Sequence, residues 1–355
     1  MNLLYNPNWE NAKKSFIGWW NGTNVSRPLI QVTAPRNEPI DELPQPPPPA
    51  SIEDQWLNAK LRMDIFEYQA SRTFYGGDAV PYFDPQLGPG TMALYLGSPP
   101  TFMPETIWYG KVYGDITTAY LPVFDEDNEY WQWTLRTVKE AKARFNGKAL
   151  VSFPDLIEHV DILASLVGTQ ELLVYMVDCP NHVHRFLERL TELYFEYYDR
   201  LYEIIEDEDG GSCFSAFWIW GPGRTAKLQC DYSAMISPPM FREFVQPYLR
   251  EQCRRLDYSV YHLDGPDAVV HLEALLEIEE LKAIQWTPGA GHAGVGDRTW
   301  WPLFHRIIDG GKSLMAHGVH PCEIEPLVEE FGTKRLDIHT GCRTEEEARM
   351  LLARF

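Results

Sequence analysis

Short apolar runs recur along the chain, and between them apolar residues return every three or four positions. The short runs have the length and composition of strands buried on both faces, and the longer stretches have the period of amphipathic helices. Eight runs predict strands, at 27–34, 79–84, 149–154, 213–220, 259–264, 281–287, 312–318 and 335–341. The longest helical pattern, 178–206, opens on "DCPNHV" and keeps its apolar stripe to "YEIIE". Ser237 followed by Pro238 predicts another helix start: the serine oxygen can accept from a free first-turn amide, and proline has no amide to leave unpaired. Thr344 and Glu347 read as a capping box at the head of a C-terminal helix.

Strand and helix alternate, which predicts an α/β protein, and eight strands close most naturally into a single TIM (β/α)8 barrel spanning 1–355. An open doubly wound sheet is the alternative, but no GxGxxG follows the first strand. Three stretches break the rhythm. The residues before the first strand form an N-terminal extension. The proline-rich "RNEPIDELPQPPPPA" (36–50) predicts a stiff surface loop, and "TIWYGKVYGDITTAYLPVFD", after the second strand, predicts a hairpin insertion over one end of the barrel.

Charge narrows the partners. With 51 acidic and 31 basic residues the net charge is -20, which disfavours nucleic acid. No apolar run is long enough for a membrane span, and the start of the chain lacks a secretory pattern, so a cytoplasmic protein is expected. The six cysteines form no CxxC pair, which argues against a structural zinc site.

Candidate chemistry lies at the carboxyl ends of the expected strands, where TIM barrels react. His262 and Asp264, two apart on one strand, face the same way. Cys342 follows the last strand. Histidine, carboxylate and thiolate are all zinc ligands, and three of them with an open position make a catalytic site. A hydrogen-bonded pair fixing the next turn is the plainer reading of His262 and Asp264, and general acid-base work by His262 is a third. Trp218, Trp220, Gln229, Asp231, Trp286, His292, His317 and His339 are expected around the mouth as substrate-binding residues. Tryptophans there suit stacking on a ring or a methylated cation, although core packing is the alternative use for them. The glycine-rich 289–304 has no GK[ST] and is no phosphate loop.

Over about residues 150–355, "FPDLIEHVDILASLVGTQELLVYMVDCPNHVHRFLERL", "DYSAMISPPMFREFVQPYLREQCRRLDYSVYHLDG" and "LDIHTGCRTEEEARMLL" follow one another in an order that resembles the uroporphyrinogen decarboxylase superfamily, and within it the cobalamin-dependent methyltransferases. The resemblance implies a TIM barrel with zinc held by H-x-C on strand five and a later cysteine. His262 and Cys342 match, and Asp264 stands where the first cysteine would be. A harder ligand suits polarising oxygen or nitrogen more than binding a thiol. The resemblance thus implies a zinc methyltransferase moving a methyl group between a small O- or N-methylated substrate and a separate corrinoid protein, with a homodimer as the candidate assembly. Porphyrinogen decarboxylation is disfavoured, because the family's arginine-rich N-terminal segment has only Arg27 and Arg36 as counterparts here. Two other functions are a metal-independent decarboxylase or lyase acting on a small acid or sugar through His262, and a barrel that binds without turnover.

Overall fold

The alternating pattern folds into a mixed α/β architecture, seen in a computed structural model that describes residues 2–355. In chain order the strands are β1 (Leu29–Pro35), β2 (Thr73–Gly77), β3 (Tyr82–Phe83), β4 (Pro100–Phe102), β5 (Ile107–Tyr109), β6 (Leu150–Val151), β7 (Ser212–Phe214), β8 (Ile219–Gly221), β9 (Thr225–Gln229), β10 (Tyr258–Asp264), β11 (Ala283–Thr287), β12 (Ser313–His317) and β13 (Leu336–Gly341). Seven of them form the main sheet in the order β2-β1-β13-β12-β11-β10-β9. All its pairings are parallel except β1 with β2. Beyond it, β3 pairs in parallel with β6, and Phe153 bridges in parallel to Phe214. Among the described residues no continuous ladder joins these short pieces to the main sheet.

The last four expected strands coincide with β10 to β13, while the fourth is corrected. Residues 213–220 are not one strand: β7 and β8 are antiparallel, joined through a 3-10 turn at Ser215–Phe217 and a left-handed Trp218 at φ 47°. The strand lying beside β10 is β9, whose sequence alternates Lys227 and Gln229 with Ala226 and Leu228. Its polar residues conceal a strand because they line an interior face instead of solvent. β2 is also additional to the expected set. Its Gly77 sits at φ +64° with a would-be Cβ 2.3 Å from the Ile30 carbonyl oxygen, so only glycine allows that close approach.

Helix starts follow the local chemistry. The Ser237 hydroxyl caps Pro238–Phe244 by accepting from the Met240 amide, and Pro180–Ile205 is the long amphipathic helix. The Thr344 hydroxyl accepts from the Glu347 amide, but the Glu347 carboxylate accepts from the Arg343 amide, so the reciprocal half of the capping box is shifted by one residue. The insertion hairpin is β4–β5, earlier than expected, and 36–50 has neither helix nor strand. The N-terminal extension forms the helix Trp9–Asn21, whose Trp9 and Phe16 rings pack edge-on against Trp220. Among the described residues no single helix is long and apolar enough to cross a membrane.

Candidate functional site

Parallel pairing sets the site. Residues opposite one another in a parallel ladder point to the same face, and the register aligns Gln229, His262, Gln285, Met315 and Asp337 across five strands. One step toward the carboxyl ends, Asp264 lies opposite Thr287, and His317 lies opposite His339, which lies opposite Gln31. A mostly polar face of this kind is unusual for a buried sheet.

Asp231, just past β9, joins His262 and Asp264 at the end of β10. One ligand-competent atom from each lies within 4.8 Å of the others. His262 is oriented from behind, with its Nδ1 2.5 Å from Oε1 of Gln285. The amide nitrogen of Gln285 donates to the Trp286 carbonyl at 2.8 Å, which identifies its oxygen as the acceptor. Nδ1 of His262 therefore carries the proton, and Nε2 keeps its lone pair. Burial, with nearby Lys227 in support, lowers the His262 pKa and favours the neutral ring, against the opposing hydrogen bond to Gln285.

Asp231 is held in a chain of polar contacts. Its backbone amide and that of Tyr232 donate to Asp161 at 2.8 and 3.0 Å, and Nε2 of Gln229 donates to its carboxylate at 3.0 Å. Gln229 accepts in turn from buried Lys227, whose ammonium lies 2.9 and 3.1 Å from the two oxygens of Asp155. Burial raises the Asp231 pKa, Asp264 adds to the rise, and His262 and Lys227 oppose it. Asp161 is raised to about 6, first by burial and then by Asp231.

Aromatic rings cover the polar face. The Phe217 ring lies 5.0 Å from His262, and Trp218 lies 3.6 Å from His339 and 5.6 Å from His317. His317 contacts Asp337 at 3.4 Å, and neither ring nitrogen of buried His339 has a hydrogen-bond partner. Trp218, Gln229, Asp231, His262, Asp264, His317 and His339 thus gather on this side of the sheet.

Other expected site residues lie elsewhere. Trp220 is core, its indole donating to Asp207. Trp286 is fully buried on the opposite face, against Trp300, because it is one residue out of phase with Gln285. His292 sits on an exposed loop with its ring 6.2 Å from Trp300. Cys342 is outside the group formed by Asp231, His262 and Asp264 and lines a separate hollow with His320 and Cys322. Alternation explains this: Asp337, His339 and Gly341 share the polar face, and the next residue falls on the other side. Gln285, Lys227 and Asp161 were not among the expected site residues, although Gln285 follows the same alternation that paired His262 with Asp264, whereas Asp155 was expected at the mouth and lies there beside Lys227.

A cavity of about 640 Å³ opens from the site. Asp231, Asp161, Tyr232 and Met235 line it on one side, and Trp108 and Tyr109 of the hairpin line it on another. No family model matches the chain, and no curated protein does. Among solved structures the chain is similar to a methyltransferase from Methanosarcina mazei, with a TM-score of 0.63 at 13% identity over 96% of this chain and 97% of that one, a likeness of fold.

Proposed function

We propose that this chain is a zinc-dependent methyltransferase that moves a methyl group between a small O- or N-methylated compound and a corrinoid carried by a separate protein. The reading rests on one observation: Asp231, His262 and Asp264 bring ligand atoms within 4.8 Å of one another, on a fold that resembles a methyltransferase. We read the main sheet, with the β3–β6 pair and the Phe153–Phe214 bridge, as an opened (β/α)8 barrel whose strand carboxyl ends carry the chemistry.

The donor set fits zinc: one neutral imidazole with a free Nε2 and two carboxylates leave a position open for substrate. Zinc bound there supplies a Lewis acid toward the heteroatom that carries the methyl group. Gln285 fixes the tautomer and ring plane of His262, as a second-layer partner of a metal-bound histidine does. Asp161 holds the Asp231 turn through two backbone amides, and Gln229 orients the Asp231 carboxylate. Phe217 and Trp218 lie over His262 and His339.

Elemental analysis of protein purified without chelator tests this. About one zinc per chain is expected in the wild type, with affinity reduced about tenfold or more in Asp231→Asn and His262→Ala. Cys342→Ala should keep the metal. Wild-type protein that takes up no zinc when zinc is supplied would sink the proposal. Loss of zinc in Cys342→Ala but not in Asp231→Asn would overturn the ligand set.

A further inference from the structure

The cavity beside Asp231 has a composition that selects among methylated compounds. Its volume, about 640 Å³, is that of a small-molecule site. Trp108, Tyr109 and Tyr232 contribute aromatic rings, Ile107, Ile157 and Met235 contribute apolar surface, and Asp161 and Asp231 contribute two carboxylates. Lys111 also lines it, but its ammonium is already paired with Glu171. Tyr109 and Tyr232 are fixed by their hydroxyls, which donate to the carbonyls of Leu87 and Thr169 at 2.8 Å each. The rings are therefore placed before any ligand arrives.

We infer that this cavity takes a methylated ammonium compound, its cationic head toward Asp161 and its methyl groups against the rings of Tyr109, Tyr232 and Trp108. This deepens the methyltransferase reading and rests on it for turnover, though not for binding. An anionic substrate would meet Asp161 and a chain of charge -20, whereas a cation is drawn in by both. Aromatic faces attract a quaternary ammonium through their quadrupoles, and its methyl groups fill apolar space that a hydrated small ion does not. The cavity also adjoins Asp231, one of the three residues proposed to hold zinc, so a methylated nitrogen bound at that end lies next to the metal group.

Titration calorimetry on the full chain, with choline, with dimethylbutanol (carbon in place of nitrogen) and with pivalate, tests the inference. Choline is expected to bind about tenfold or more tightly than dimethylbutanol, with pivalate weakest. Trp108 is 66% exposed, so Trp108→Leu should keep the fold while weakening choline several-fold. Tyr109→Leu should weaken choline as well, with thermal melts as the control for folding. Equal affinity for choline and dimethylbutanol, or pivalate binding best, overturns the inference. So does choline binding that is indifferent to both variants. Zinc uptake with no choline preference would reject this substrate class and leave the methyltransferase reading standing. Choline preference without zinc uptake would do the reverse.

Discussion

His262 places its Nδ1 2.5 Å from Oε1 of Gln285, one strand away at the same register. Gln285 is itself fixed by donating to the Trp286 carbonyl and to the Thr287 hydroxyl, at 2.8 and 2.9 Å. The tautomer of the one histidine in the proposed metal group is thus set by a neutral amide on the neighbouring strand.

Gln285→Leu keeps the volume and removes the acceptor. We expect zinc affinity to fall by about tenfold to a hundredfold while the thermal midpoint changes little. Competition with a chromophoric chelator measures the first, and a melting curve the second. Unchanged affinity would mean that the ring is held by packing against Phe217 instead.

Lys227 and Asp155 form a buried pair, with side-chain exposures of 1% and 9%. Removing one member leaves a buried charge without its partner. Lys227→Met should cost about 3–5 kcal/mol of stability, and the double variant Lys227→Met with Asp155→Leu should recover much of it. Denaturant unfolding of the four proteins in the cycle checks this. A double variant as unstable as the sum of the singles would show that the two side chains act independently.

His159 is buried with both ring nitrogens unpartnered, and burial lowers its pKa to about 3. Between pH 6.5 and 3 the unfolded chain binds the proton that the native state refuses. The contribution of His159 to stability is therefore complete above pH 6.5 and is lost as pH falls toward 3. Asp161 works in the opposite sense: raised to about 6, it binds a proton more readily when folded, and its contribution declines as pH rises from 4 to 6. His159→Leu should flatten the acid side of the stability profile, followed by urea midpoints across that range. A profile as steep as that of the wild type would assign the acid sensitivity to other groups.

Alternation along single strands made much of the site legible. It placed His262 and Asp264 on one face, and the same count through 337, 339 and 341 puts Cys342 on the other. The family resemblance matched Cys342 by motif order, which does not count strand parity. Trp220 and Trp286 read as mouth residues because an aromatic at a strand end looks the same from sequence whichever face it takes.

What the sequence by itself determined is the local part: the alternating α/β pattern, the four C-terminal strands, the long helix Pro180–Ile205 and the serine and threonine caps. Each depends on period or on hydrogen bonds within a few residues. The tertiary structure alone decided that β9 rather than 213–220 lies beside β10, and hence that Asp231 meets His262 and Asp264. It also decided that Gln285 stands behind the histidine and that the hairpin rings of Trp108 and Tyr109 share a cavity with Asp231. Those relations depend on register between strands far apart in the chain. Such register is fixed by which faces can be buried together, and no single segment carries that information.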